Sequence, residues 1–312
     1  MNYDRCLINL SLLICFSCPA LGFSQAGTFE INSACVESGC FEGDTPGLPV
    51  QIYSPGVYTL TSDLEIDSLD SHAILIHTQD VVLEFSGFEL RGPNVCEGKP
   101  LTCQNGSGNG VIGSGKNITV RDGAIRGFGQ WGLAVGEGGK ILNMTGENNG
   151  SYAFRAGDGS IVRNSSAYRN GSGFWASRSV LFDSIVAINN RQFGVALNGS
   201  SDKGGGSSLR NCKLAFNGEA IYDWDSSLIE NCQIIRNQAG IRSGNGGTNV
   251  VRSQLMSNTR AITHVGGSSV YDISLPIVVR DTTILNNELG IQNNGEMFFV
   301  GSTVCDDPLC SD

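Results

Sequence analysis

A repeat of about 20 residues, in which each unit ends on asparagine, constrains this chain more than any other feature. Two inserted stretches, residues 202–208 and 271–276, account for the longer gaps between units. A unit of this length is typical of one coil of a β-solenoid, because helical repeats are longer and show 3.6-residue periodicity. The terminal asparagines, spaced 21, 19, 28, 20, 21 and 29 residues apart, are Asn149, Asn170, Asn189, Asn217, Asn237, Asn258 and Asn287.

Apolar residues alternate with polar ones inside each unit, which is the side-chain period of a β-strand. The asparagines tolerate the left-handed backbone of a tight turn, and their amides can bond from coil to coil as a ladder. One predicted inward column is Ala167, Val186, Leu214, Ile234, Leu255 and Ile284. A second is Phe154, Val195, Ile221, Ile241, Ile262 and Ile291. We therefore predict an all-β chain, a single right-handed parallel β-helix of roughly ten coils.

The N-terminus predicts export. An apolar run over residues 7–16 follows Arg5 and precedes small residues, so residues 1–24 read as a signal peptide. Cys18 leaves a lipoprotein anchor as an alternative. The predicted organisation continues with an N-terminal cap over residues 25–49, the β-helix over 50–304 and a C-terminal tail over 305–312. No later stretch has the roughly 20 apolar residues of a membrane span. The protein is thus expected to be secreted, or periplasmic or at the cell surface in a Gram-negative host.

Eight cysteines remain after the signal segment, and they fall in local pairs. An even set in an exported chain predicts disulfides, and the spacing lacks the paired motifs of a zinc site. Two buried thiols remain the alternative for Cys212 and Cys232, which lie one coil apart. Disulfides between the cysteine pairs near the two ends would stabilise short caps there. The predicted bridges are Cys35–Cys40, Cys96–Cys103, Cys212–Cys232 and Cys305–Cys310.

The charge balance limits the class of partner. The formal net charge is −10 and no cluster of Lys or Arg occurs, which disfavours nucleic acid and anionic membrane surfaces. A glycan or a cation is a better candidate partner for a chain of this charge. The glycine-rich turns lack the calcium-binding repeat pattern, so no cofactor or metal is predicted, although isolated Ca²⁺ sites stay open. Nothing in the sequence requires an oligomer, and we expect a monomer.

Two segments, VVLEFSGFELRG at residues 81–92 and NITVRDGAIRGFG at 117–129, resemble the opening coils of the pectate-lyase-like superfamily, which includes bacterial β-helix repeat proteins. The resemblance covers about residues 50–304 and implies the fold. It leaves activity open, since that superfamily mixes lyases, hydrolases, epimerases and proteins without known catalysis. Polygalacturonases of this fold carry an Asn-Thr-Asp, an Asp-Asp and a His-Gly signature. In this chain the one Asp-Asp pair, Asp306 with Asp307, lies outside the predicted coils, and His264 precedes Val265 instead of glycine. No catalytic residue is therefore carried over.

The segment YDWD, residues 222–225, is the most informative candidate site. If Ile221 points inward, Tyr222 and Trp224 face outward, and outward arginines of other coils would complete a strip that can stack on sugar rings. The predicted binding residues are Tyr222, Trp224, Arg242, Arg155 and Arg178, and the candidate catalytic groups are Asp223, Asp225 and His264. The alternative is ordinary surface stacking with no ligand. Similarly, the loop over residues 93–108 either walls a groove or only shields the coils.

These patterns favour a secreted β-helix protein that interacts with extracellular polysaccharide. A structural or adhesive scaffold without catalysis is the alternative. A polysaccharide lyase or hydrolase with an unrecognised site is a further alternative, so the sequence leaves open whether the protein is an enzyme.

Overall fold

The computed structural model describes residues 28–197, 206–224, 226–244, 247–265, 275–293 and 296–310. These residues form 32 short strands, one helix α1 (Ser33–Val36) and a 3₁₀ turn at Pro308–Cys310. All the strand pairings between successive coils are parallel, as the repeat predicts. The predicted parallel β-helix is confirmed.

The strands line three faces, and each coil contributes one strand to each face in turn. The first and second faces belong to a single 21-stranded sheet, because β9 and β11 each span both of them. The first face comprises β1 (Phe29–Ile31), β3 (Gly56–Leu60), β6 (Val81–Glu84), β9 (Thr119–Arg126), β11 (Lys140–Glu147), β13 (Ile161–Arg163), β16 (Leu181–Asp183), β19 (Ser208–Arg210), β22 (Leu228–Glu230), β25 (Asn249–Val251), β28 (Ile277–Arg280) and β31 (Met297–Val300). The second face comprises β4 (Leu64–Glu65), β7 (Glu89–Arg91), the later halves of β9 and β11, β14 (Ser166–Tyr168), β17 (Val186–Ile188), β20 (Lys213–Ala215), β23 (Gln233–Ile235), β26 (Gln254–Met256), β29 (Thr283–Leu285) and β32 (Val304–Cys305).

The third face is a separate sheet of eleven strands in the described part of the chain, so the structure has about eleven coils. Many of its strands have five residues, against three in most strands of the other faces, which leaves room for more outward side chains. The third face comprises β2 (Val50–Ile52), β5 (Ile74–Ile76), β8 (Val111–Gly113), β10 (Leu133–Val135), β12 (Tyr152–Ala156), β15 (Ser172–Ala176), β18 (Phe193–Leu197), β21 (Glu219–Asp223), β24 (Ala239–Ser243), β27 (Arg260–His264) and β30 (Ile291–Asn293).

Inward side chains stack in register and fill the interior between the faces. The predicted third-face column from Phe154 to Ile291 is confirmed, with Phe174 as a further member. The second-face column is confirmed except in one coil, where Ala187 and not Val186 aligns with Ala167 and Leu214. Ala187 is fully buried. The prediction slipped by one residue because this unit contains two consecutive asparagines.

The asparagine ladder follows the same shift. Asn190, and not the predicted Asn189, accepts hydrogen bonds from the backbone nitrogen and Nδ2 of Asn170 at 3.1 and 3.0 Å. Asn190 in turn donates Nδ2 to Oδ1 of Asn217 at 2.9 Å. The other predicted members form the same contacts up to Asn287. Asn189 instead takes the exposed turn position before the ladder, with a φ of 57°.

All four predicted disulfides are present, so the alternative of free thiols at Cys212 and Cys232 is wrong. Cys35–Cys40 and Cys305–Cys310 lie near the two ends, as predicted for the caps. Strand β1 pairs with β3, so the first sheet begins inside the segment predicted as the N-terminal cap. The predicted signal peptide lies outside the described residues. Among those described, no helix has the length and hydrophobicity to span a membrane.

Candidate functional site

The outer surface of the third face carries a column of aligned side chains. Because side chains alternate along a strand, the residue after each inward Phe, Val or Ile points outward. The strand register aligns these residues from coil to coil. In order they are Ala134, Arg155, Trp175, Ala196, Tyr222, Arg242 and Thr263. Three predicted binding residues, Arg155, Tyr222 and Arg242, therefore share one column.

Arg155 lies between two tryptophans. Its guanidinium carbon is 4.8 Å from the ring centre of Trp131 and 4.6 Å from that of Trp175. Stacking of this kind is favourable for arginine because the flat, weakly hydrated guanidinium meets the negative face of each ring. Both indoles are half-buried at the surface.

A second aromatic group surrounds Tyr222. Its ring stacks on Phe193 at 5.2 Å and on Trp224 at 5.5 Å, and Arg242 lies 5.4 Å from its centre. Arg242 also donates a hydrogen bond to Glu219 at 3.2 Å. Trp224 packs against the backbone of Gly244, since a Cβ at that glycine would lie 1.7 Å from Cε3 of the indole.

These two groups and Tyr152 form one surface, which we call the aromatic strip. All three tryptophans of the chain belong to it. Tyr152 lies in the same strand as Arg155, and burial raises the pKa of its phenol. The strip consists of Trp131, Tyr152, Arg155, Trp175, Phe193, Tyr222, Trp224 and Arg242.

An open cleft of about 290 Å³ adjoins Arg155 and Trp175. Asp158 and Glu137 line its far side. The Ser177 hydroxyl and the Arg178 guanidinium both donate to the Asp158 carboxylate, and these bonds lower its pKa to about 2. Asp158 is therefore ionised at neutral pH and can accept hydrogen bonds from a ligand, but it has no proton to donate.

Arg178 does not share the outward column predicted for it. It follows the end of β15 and forms an ion pair with Asp158. The prediction placed it by counting along the strand, whereas β15 ends at Ala176. Arg178 lines a second, shallower hollow together with Asp158 and Glu137, next to the cleft.

Asp223 and His264 point into the core and are fully buried. Asp223 accepts hydrogen bonds from the hydroxyls of Ser227 at 2.8 Å and Thr248 at 2.6 Å. Their strand positions align through Ser243, which is also buried. The acid and base roles predicted for Asp223 and His264 need access to a ligand on the surface, and this burial removes it. The third candidate, Asp225, lies outside the described residues.

Sequence reasoning missed Trp131, Tyr152, Trp175 and Phe193. The period-two rule could have placed Trp175, because it follows the inward Phe174 as Tyr222 follows Ile221. Trp131 lies before β10, and its approach to Arg155 depends on the turn between coils, which no strand pattern describes. The signal that the sequence offered for an outward ring was an aromatic residue directly after an inward one.

Comparisons with known proteins find similarity in structure and none in sequence. No family model and no curated protein matches the sequence. A mutant of the periplasmic alginate epimerase AlgG aligns with a TM-score of 0.63 at 12% identity, over 88% of this chain and 84% of that one. The A-module of the Azotobacter vinelandii mannuronan C-5 epimerase AlgE6 aligns at 0.56 and 15% identity, over 91% and 90%.

The catalytic domain of a GH87 α-1,3-glucanase, solved in complex with tetrasaccharides, aligns at 0.51 and 12% identity over 90% of this chain and 63% of its own. At these identities the likeness concerns architecture alone. The chain has the parallel β-helix fold of these proteins, as its resemblance to the pectate-lyase-like superfamily implied.

Proposed function

We propose that this protein binds an extracellular polysaccharide along the aromatic strip. One observation carries the proposal: every tryptophan of the chain lies half-buried on one outer face, in line with Tyr222 and two arginines. Aromatic side chains that are grouped together at the surface of a protein favour an interaction surface. Flat rings present apolar faces to the C–H groups of sugars, and arginine donates to hydroxyl or carboxylate oxygens.

The fold and the predicted location support this choice of ligand. The two epimerases named above act on alginate or mannuronan, and the glucanase was solved with tetrasaccharides bound. Four disulfides and the predicted signal peptide favour an extracellular or periplasmic protein, where polysaccharides are accessible. The proposal concerns binding. It leaves the scaffold and enzyme alternatives as outcomes of the test.

The test is a titration of intrinsic tryptophan fluorescence with soluble polysaccharides. The signal reports on the strip, because no tryptophan lies elsewhere in the chain. We expect a saturable change with at least one glycan, and Trp175→Ala should weaken binding by about ten-fold, equivalent to roughly 1.4 kcal/mol. Phe298→Ala is the matched control, since it removes an exposed ring from the first face.

Each outcome separates the alternatives. A glycan panel that gives no saturable binding would support the scaffold and overturn the proposal. Equal affinities for wild type and Trp175→Ala would place any binding elsewhere on the molecule. Release of unsaturated or reducing sugars during the titration would favour an enzyme that uses the same face.

A further inference from the structure

A second cleft lies at the corner between the second and third faces, away from the outward column of the strip. It has a volume of about 310 Å³. One wall is the tip of the loop over residues 93–108, and the floor is formed by the turns that precede β18, β21 and β24. We call it the corner cleft. Its chemically distinctive lining residues are Lys99, Arg191, Phe216 and Arg236.

The loop that forms the wall is held in place. The Cys96–Cys103 disulfide closes it, and the backbones of Glu97 and Thr102 bond to each other across its tip. Asn94 donates to the carbonyl of Gln104 within the loop, and it ties the base of the loop to the coil through a bond to the carbonyl of Phe128. Arg169, from a later coil, donates to the Cys96 carbonyl. A wall fixed by this many contacts is suited to hold a preformed binding site.

Phe216 occupies an unusual position in this cleft. It has a φ of 58° and its side chain is 53% exposed. Other coils place a polar residue at the same corner with φ between 53° and 58°, namely Asn148, Arg169, Asn189, Arg236, Ser257 and Asn286. Among the described non-glycine residues with positive φ, Phe216 is the one apolar side chain. A bulky residue is disfavoured in this conformation and gains little from burial here, so the position favours a functional role for the ring.

The charged residues of the cleft are all positive. Lys99, Arg191 and Arg236 are exposed, and none forms an ion pair with an acidic residue in the described part of the chain. Arg236 lies 5.8 Å from the Phe216 ring centre. No carboxylate is among the described residues that line the cleft. In a chain of net charge −10, this is a local concentration of unpaired positive charge, and it favours an anionic ligand.

We infer that the corner cleft binds an acidic sugar unit that bears a carboxylate or a sulfate group. The sugar ring stacks on Phe216, and its anionic group is bound by Arg191, Arg236 and Lys99. The amides of Asn189 and Gln238, at the edge of the cleft, are available to the sugar hydroxyls. This site is additional to the aromatic strip, and the inference does not require that the strip binds anything.

Isothermal titration with size-matched oligosaccharides tests the inference: one carboxylated, one sulfated and one neutral. We expect binding of at least one acidic oligosaccharide and about ten-fold weaker binding after Phe216→Asn or the double change Arg191→Gln with Arg236→Gln. Arg280→Gln is the control, because it removes an exposed charge on the first face. Phe216→Asn should keep or raise the melting temperature, since asparagine accepts the left-handed backbone.

The outcomes are distinct. If Phe216→Asn binds the acidic oligosaccharides as wild type does, the inference is overturned. It also fails if inorganic sulfate competes as well as the sulfated oligosaccharide, since the cleft is then an anion patch without a sugar subsite. Trp175→Ala separates the two sites, because it should weaken binding at the strip and leave binding at the corner cleft unchanged.

Discussion

Trp224 and Gly244 come from adjacent coils and together set the position of one aromatic ring of the strip. The indole lies flat on the glycine backbone, in the space that any larger residue would fill. The rest of the Tyr222 stack depends on that position, because Trp224 is 5.5 Å from Tyr222. The glycine is therefore a positioning residue for the strip, although it offers no group to a ligand.

Gly244→Ala should displace the Trp224 indole. The backbone of Gly244 does not have a positive φ, so alanine can adopt its conformation and the protein should still fold. We expect several-fold weaker glycan binding in the fluorescence titration and a changed emission maximum. Gly247→Ala is the control between the same two strands, because its Cβ would come no closer than 3.1 Å to a neighbouring atom. Unchanged binding in Gly244→Ala would show that Trp224 does not contribute.

Asp158 provides a pH-dependent contribution to stability. Hydrogen bonds from Ser177 and Arg178 lower its pKa to about 2, below the roughly 3.9 of an unfolded chain. The native state therefore gains stability from the ionised carboxylate above about pH 4, and this gain is lost as the pH falls towards 2. Asp158→Asn should lower the melting temperature at pH 7 and should have little effect near pH 2.

Thermal melts of both proteins across this pH range check the prediction. The matched control is Glu137→Gln, whose ion pair with Lys116 is about 60% exposed on both sides and should contribute little. A difference between wild type and Asp158→Asn that stays constant down to pH 2 would contradict the assigned role.

At the scale of single elements, the sequence predicted that each coil consists of short strands, but it predicted less well how the residues of one coil align with those of the next. Strand parity identified the inward columns, because burial repeats every second residue within a strand. It could not choose between Asn189 and Asn190, which are adjacent and chemically identical. The structure identifies the ladder member by its contacts. Asn190 donates to Asn217 in the next coil, whereas Asn189 faces solvent.

That difference predicts opposite results for two neighbouring substitutions. Asn190→Ala would remove the side-chain partner of the Asn170 backbone nitrogen and of the Ala167 carbonyl in the core, and the Oδ1 of Asn217 would keep only the bond from the backbone nitrogen of residue 190. We expect the free energy of unfolding to fall by about 3 kcal/mol, since each buried group left unpaired costs roughly 1–3 kcal/mol. Asn189→Gly keeps the left-handed turn and should change stability by less than about 1 kcal/mol. Denaturant unfolding of both variants measures this, and similar losses would contradict the ladder assignment.

The candidate site was less predictable than the fold, because it depends on contacts between coils. Tyr222 and Arg242 could be paired from the repeat, since their coils differ by a regular 20 residues. Trp131 and Arg155 meet through a turn of different length, and Arg178 leaves the column because its strand ends early. The burial of Asp223 and His264 follows from the same strand parity that placed Tyr222 outward, which assigns both residues to the inner side.

The whole molecule is a stack in which each coil contacts mainly its neighbours, so a surface feature repeated along it becomes linear. The strip runs from the coil of β10 to that of β24. Five intervals at the parallel-strand spacing of about 4.8 Å give the strip a length of about 24 Å. A single sugar covers only part of this length. The geometry therefore fits an extended chain of several sugar units lying along the axis of the β-helix.

This length predicts how affinity depends on ligand size. For the glycan that binds best, affinity should rise with each added sugar while the oligosaccharide is shorter than about 24 Å, and it should level off for longer ligands. Titrating a series from disaccharide to octasaccharide measures the dependence. Trp131→Ala and Trp224→Ala remove the aromatic rings nearest the two ends of the strip, so each should shift the plateau to shorter ligands. If affinity is the same from the disaccharide upwards, a single ring accounts for binding, and the axial orientation of the ligand is wrong.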